Sequence, residues 1–95
     1  MDDDLREQIN VAAYYLSQKY LPIDTLCNML ARRQLYIENN YRNAPEILVT
    51  KRTAEIFCSE PEPNYDVLCW LIAELDIRIG NKIFEEDLPP MFPAY

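Results

Sequence analysis

Residues 68–79, LCWLIAELDIRI, decide the fold of this chain. Their largest apolar side chains recur at steps of three and four residues, the spacing of one face of an α-helix: Leu68, Leu71, Ile72, Leu75 and Ile79. Other apolar residues lie outside this stripe, so we expect this helix to be the most apolar one and the centre of the core. Gly80 and Asn81 follow it, and both residue types favour helix ends, so they predict its C-terminus.

Upstream of this stretch, two helical segments are predicted on either side of a proline-containing break. Carboxylates at residues 2–4 suit the positive end of a helix dipole, and apolar residues at helical spacing carry this first helix to about Gln18. Asp24 is the expected N-cap of the second segment, whose helical spacing continues to Tyr41. Residues 31–34 fit either a continuous helix or a tight turn.

A third element follows, with Pro45 as a residue that suits the first position of a helix. The main prediction is a helix from there to about Cys58, and the alternative is a short strand at residues 47–50 before a short helix. A linker with two prolines comes next. Asn64 or Asp66 is the expected N-cap of the last helix.

Length and composition are those of one globular domain. The chain has 95 residues, of which 49% are apolar and 26% charged, and no apolar run is long enough to span a bilayer. We therefore predict an all-α fold, a compact single-domain bundle of about four helices over residues 1–84. The acidic N-terminus does not resemble a secretory signal, so a cytoplasmic location is expected.

The C-terminal segment, residues 85–95, carries three acids and then a proline-rich apolar sequence. Proline removes backbone donors and clashes with the preceding helical turn, so we predict an extended tail. Its large apolar side chains favour packing on the domain or on a partner, because their burial is favourable.

Residues suited to catalysis or metal binding are scarce. The chain has no histidine and one glycine, so it lacks the commonest general base and metal ligand and any glycine-rich phosphate loop. Glu74 and Asp76, two residues apart on a helix, point about 200° away from each other. Cys27, Cys58 and Cys69 lack metal or redox spacing and are expected to be buried apolar residues. We therefore expect no enzyme, no cofactor and no metal site.

The charge of the chain is unevenly distributed. The net charge of −7 divides into −3 for residues 1–31, +3 for residues 32–52 and −7 for residues 53–95. This asymmetry favours a protein that binds another macromolecule. Intramolecular ion pairs between the two regions are the alternative explanation.

The acidic region supports the main functional hypothesis, a small non-enzymatic regulator, inhibitor or adaptor that binds another protein. Its carboxylates can occupy a basic surface, including one that otherwise binds nucleic acid. The candidate protein-binding residues combine acids with residue types that are enriched at interfaces: Glu60, Glu62, Asp66, Tyr15, Tyr36 and Arg33. Surplus apolar surface on the last helix also suits a homodimer.

The alternative hypothesis is a DNA-binding regulator that uses the basic segment at residues 32–52. The apolar positions within residues 26–37 lie roughly where a helix-turn-helix places its packing residues. The candidate nucleic-acid contacts are Arg32, Arg33, Asn39, Arg42, Lys51 and Arg52. The usual glycine of the turn is missing, and the net charge opposes binding to a polyanion.

Overall fold

Four α-helices make up the protein in a computed structural model that describes residues 3–86. In chain order they are α1 (Asp3–Ser17), α2 (Ile23–Glu38), α3 (Glu46–Phe57) and α4 (Tyr65–Glu86). No strand occurs within the described residues, so the predicted all-α fold is confirmed. Residues 31–34 are continuous helix, and residues 47–50 are helix rather than strand. The sequence from residue 87 onward, where most of the predicted tail falls, lies outside the described residues.

The helices form an open series in which α4 packs on α1 and α2, and α3 packs on α2. Contacts at both ends show that α2 and α4 run side by side in the same direction. Tyr65 Oη donates a hydrogen bond to the Leu21 carbonyl oxygen over 2.9 Å, and Lys82 Nζ lies 5.6 Å from the centre of the Tyr41 ring. The backbones of α3 and α4 do not approach each other closely. A groove therefore opens between α3 and α4.

The core lies where α1, α2 and α4 meet. Its buried apolar side chains come from all three helices: Leu16, Leu26, Cys27, Met29, Leu30, Leu68, Cys69 and Ile72. The apolar stripe of α4 faces this core, with Leu68, Ile72 and Ile79 buried and Leu71 and Leu75 partly buried. Full burial of a leucine or isoleucine side chain stabilises a fold by about 1.5–3 kcal/mol. As predicted, α4 is central to the fold.

The first turns of α2 and α4 differ in how they are capped. Asp24 is not the N-cap of α2, because the helix begins one residue earlier and the Asp24 carboxylate accepts a hydrogen bond from the next amide over 3.0 Å. Asn64, one of the two predicted residues, is the N-cap of α4. Its Oδ1 accepts hydrogen bonds from the amides of Asp66 and Val67 over 2.9 and 3.3 Å.

The C-terminus of α2 comes earlier than its apolar spacing predicts. The helix ends at Glu38 rather than near Tyr41. Asn40 and Tyr41 take left-handed φ angles of 56° and 61°, which no α-helix can continue through. The Tyr41 amide then donates back to the Tyr36 carbonyl oxygen over 2.8 Å, which satisfies one of the free carbonyl groups at the helix end.

The C-terminus of α4 comes later than predicted. The helix runs through Gly80 and Asn81 to Glu86, so the predicted stop is wrong. Gly80 does not take the positive φ of a helix-ending glycine, and the next residue but one, Lys82, is held over the Tyr41 ring. Residues 85 and 86, assigned from the sequence to the extended tail, are therefore helical.

Candidate functional site

The α3–α4 groove is an apolar surface cavity of about 480 Å³. Residues of α2 contribute to its lining, and the linker between α3 and α4 (residues 58–64) lines one end. The apolar lining residues come from α2, α3, the linker and α4: Leu30, Ile56, Pro61, Pro63, Val67, Leu68 and Leu71. Val67 is 52% exposed, so part of this apolar surface faces solvent.

Acidic side chains border this groove. Glu55 on α3 and Glu62 on the linker line it, and both are exposed. Glu60 and Asp66 are also exposed and directly adjoin lining residues in the sequence. Among the described residues that line the groove, none is a lysine or an arginine. We call these four acids the acidic border, and it gives the groove a negative potential.

Of the predicted protein-binding residues, Glu62 lines the groove, Glu60 and Asp66 are exposed sequence neighbours of lining residues, and the other three lie elsewhere. Tyr15 is 66% exposed but lies on α1, where its ring packs edge-to-face against Tyr14. Tyr36 is only 2% exposed, and burial raises its pKa. Arg33 is 8% exposed. The selection of Tyr36 and Arg33 is corrected, because a side chain that is buried in the fold cannot reach a partner.

Arg33 is buried because other groups inside the bundle satisfy its guanidinium. Its Nε donates to Asp76 Oδ1 on α4 over 2.6 Å, and its Nη1 donates to the Met29 carbonyl oxygen over 2.9 Å. Charged hydrogen bonds of this kind offset the loss of water around a buried cation. Arg33 therefore joins α2 to α4.

Three of the five cations in the basic segment form ion pairs within the molecule, two of them with acids of the same segment. Arg32 donates two hydrogen bonds to the Glu46 carboxylate over 2.7 and 2.9 Å, and Arg52 donates two to Glu38 over 2.8 and 2.9 Å. These hydrogen bonds lower the pKa of both carboxyl groups. With Arg33 paired as well, three candidate nucleic-acid contacts are engaged in intramolecular ion pairs.

The predicted turn of a helix-turn-helix is absent from residues 26–37. α2 continues unbroken through residues 26–37, where that motif would need to change direction. The other candidate contacts, Asn39, Arg42 and Lys51, are exposed, and the Asn39 side-chain amide donates to the Arg42 carbonyl oxygen over 3.3 Å. Arg42 and Lys51 are the cations that the basic segment still presents to solvent.

The cysteines divide between core and surface. Cys27 and Cys69 are buried as predicted, and burial raises the pKa of both thiols. Cys58 is exposed because it caps the C-terminus of α3 where the helix meets the linker, so the prediction that it is buried is wrong.

Within residues 3–86 no three cysteine or carboxylate side chains are grouped as metal ligands, and no helix is long and apolar enough to cross a membrane.

Sequence reasoning missed the groove itself and two of its residues, Glu55 and Val67. Val67 carried one signal, its position outside the apolar stripe of α4 next to Asp66. No sequence signal marked Glu55, because only the tertiary arrangement of α3 beside α4 places it at the groove.

Comparison with protein-family models, with curated proteins and with solved structures gives no match to this chain. Its function must therefore be inferred from the groove, the acidic border and the intramolecular contacts of the arginines.

Proposed function

We propose that this protein is a small, acidic, non-enzymatic regulator, inhibitor or adaptor that binds another protein at the α3–α4 groove. The observation that carries the proposal is an open apolar groove of about 480 Å³ bordered by exposed carboxylates. Contiguous exposed apolar surface with a polar rim is typical of interaction sites on soluble proteins. Apolar contacts at the centre supply most of the affinity, whereas charges at the rim direct orientation and association.

The acidic border favours a partner with a basic surface, including one that otherwise binds nucleic acid. Arg52, on the same helix as Glu55, donates its hydrogen bonds to Glu38 and Gln34, and its charge also interacts with Glu55, so Glu62 and the exposed acids beside it carry most of the uncompensated charge. Exposed charges interact over roughly 8 Å at physiological ionic strength. We therefore expect association with the partner to slow as salt is raised.

The cellular setting and oligomeric state belong to the same proposal. We place the protein in the cytoplasm, where free thiols such as those of Cys27 and Cys69 stay reduced. A homodimer is a further candidate, because Val11 on α1 and Phe84 on α4 are 50% and 89% exposed. Sedimentation equilibrium of the purified chain distinguishes monomer from dimer.

Capture from the native cell lysate tests the protein-binding proposal. The tagged chain is compared with a border variant, Glu60→Gln with Glu62→Gln and Asp66→Asn, and nuclease treatment runs in parallel. We expect the wild type to retain a nuclease-resistant protein and the border variant to retain about tenfold less of it, equivalent to about 1.4 kcal/mol. Quantitative mass spectrometry of the retained proteins gives the ratio.

A matched control carries the same number of neutralised acids elsewhere, Asp3→Asn with Glu7→Gln and Glu85→Gln. All three positions are exposed, and Asp3 lies in the first turn of α1 as Asp66 does in α4. Equal loss of the retained protein in both variants would contradict the placement at the groove. Retention of nucleic acid with its coating proteins alone, lost on nuclease treatment, would instead favour the DNA-binding alternative.

A further inference from the structure

The walls of the α3–α4 groove offer mainly side chains to a partner. Inside α3 and α4 the main-chain amides and carbonyls bond within their own helices, and Asn64 Oδ1 accepts from two amides in the first turn of α4. The linker contributes Pro61 and Pro63, which have no amide hydrogen, and no strand edge exists within residues 3–86. A segment that enters this apolar groove finds few backbone partners there, which favours one that satisfies its own backbone hydrogen bonds, as an α-helix does.

The arrangement of the bundle also suits a helix at this position. α3 and α4 both pack on α2 without packing closely on each other, so the space between them is bounded by helices on several sides. A helix-in-groove contact buries one apolar face of an amphipathic helix in such a space. The lining residues on the α4 side run from Asn64 to Leu71, so this wall is about 10 Å long and matches about two turns of an added helix.

The acids of the groove favour a bound helix that has cations beside its apolar face. Glu55 on one wall and Glu62 at the linker end line the groove, and its described lining contains no cation. An occupant with lysine or arginine beside its apolar face gains favourable interactions, whereas one with acidic residues there is repelled.

The chain's own acidic tail fits this requirement poorly. The tail follows Glu86, and the residues around its start, Glu85, Glu86 and Asp87, bear the same sign of charge as the groove.

We infer that the α3–α4 groove receives about two turns of a basic amphipathic helix from the partner protein, with its apolar face against Val67 and Leu71 and its cations beside Glu55 and Glu62. The inference rests on the proposed protein-binding function and adds the class of ligand.

Nuclear magnetic resonance titration of the full 95-residue chain tests this inference. The probe is a synthetic peptide of about 12 residues with leucines at the i, i+3, i+4 and i+7 spacing and lysines elsewhere. A scrambled peptide of the same composition and a peptide with glutamate in place of lysine are the controls. We expect the amphipathic lysine peptide to shift amide signals of residues 55–71, and each control to bind at least about tenfold more weakly.

Two variants with the same substitution give the matched comparison. Val67→Lys places a cation in the groove, and Val11→Lys places one beside Asp4 and Glu7 in a cavity between α1 and α4. Val67 and Val11 are 52% and 50% exposed, so both variants should fold. We expect Val67→Lys to weaken peptide binding about tenfold and Val11→Lys to leave it within about twofold.

Several results would overturn the helix inference. They are equal binding of the scrambled peptide, signal shifts centred on α1, and equal effects of the two lysine variants. Nuclear Overhauser contacts between Val67 and residues 88–95 in the free chain would show that the chain's own tail fills the groove. If any of these occurs while the lysate partner is still lost from the border variant, the protein-binding function stands and only the ligand class is wrong.

Discussion

At the scale of single residues, the arginines show how the surroundings decide the role of a charge. Arg32, Arg33 and Arg52 lie in one basic segment, yet each is held by a carboxylate at least 14 residues away in the sequence: Glu46, Asp76 and Glu38. Sequence alone gives their charge and not their partners, because the partners lie 14 to 43 residues away. The two exposed pairs are weak individually, whereas Arg33 is a structural residue.

Replacement of Arg33 tests this structural role. Arg33→Ala removes two charged hydrogen bonds and the packing of the side-chain stem, so we expect the free energy of unfolding to fall by about 2 kcal/mol. This decrease in unfolding free energy is moderated because the Asp76 side chain is 46% exposed and can be hydrated. Urea unfolding followed by circular dichroism measures the change.

The control is Arg78→Ala, whose guanidinium lies 3.7 Å from Glu74 and is 62% exposed. The Glu74 side chain is only 15% exposed, but a long ion pair whose cation faces solvent contributes less than about 1 kcal/mol. If the two variants unfolded at the same urea concentration, Arg33 would not join α2 to α4 as described.

The Arg52–Glu38 pair predicts a pH dependence of stability. Hydrogen bonds from Arg52 hold the pKa of Glu38 below its usual range in the folded chain, so the unfolded chain takes up the proton at higher pH. This contribution to stability is complete above the unfolded pKa of about 4.3 and is lost as the pH falls through the lower folded value. We expect Arg52→Gln to reduce the fall in unfolding free energy between about pH 5 and pH 3. An unchanged pH profile by urea titration would rule this pair out as a source of the dependence.

At the scale of helices, local sequence predicted where elements exist better than where they end. The stripe from Leu68 to Ile79 is a local pattern, and the helix it predicts is present and central. The continuation of α4 past Gly80 brings Lys82 over the Tyr41 ring, a tertiary contact that no pattern near Gly80 reveals. α2 shows the reverse case, since its apolar spacing continues past the point where the backbone turns left-handed.

Gly80 allows a direct test of the extended α4. A Cβ atom added at Gly80 meets no atom within 4 Å, and the residue lies on the exposed surface of the helix. Gly80→Ala should therefore stabilise the protein by about 0.5–1 kcal/mol, because alanine loses less backbone entropy in a helix. Thermal unfolding followed by circular dichroism measures the effect. Destabilisation by alanine, together with no effect of Gly80→Pro, would mean that α4 ends at residue 80.

At the scale of the whole molecule, the functional surface arises from the way the helices are arranged. Composition, helical periodicity and proline positions predicted four helices in one bundle, and Glu60, Glu62 and Asp66 were selected from their charge. The groove beside them could not be predicted, because it depends on α3 and α4 packing on α2 and not closely on each other. The two oppositely charged regions of the sequence also differ in the structure. Most cations of the basic segment are held in intramolecular ion pairs, whereas the acids of the acidic border are exposed to solvent.

Hydrogen exchange of the full chain, alone and bound to the protein retained from the lysate, tests the central claim most directly. Mass spectrometry of peptic fragments then maps the surface that the partner covers. We expect slower exchange at residues 55–71, which include the end of α3, the linker and the first turns of α4, and unchanged exchange over the first half of α1. Slower exchange confined to α1 or to residues 39–51, with residues 55–71 unchanged, would contradict binding at the α3–α4 groove.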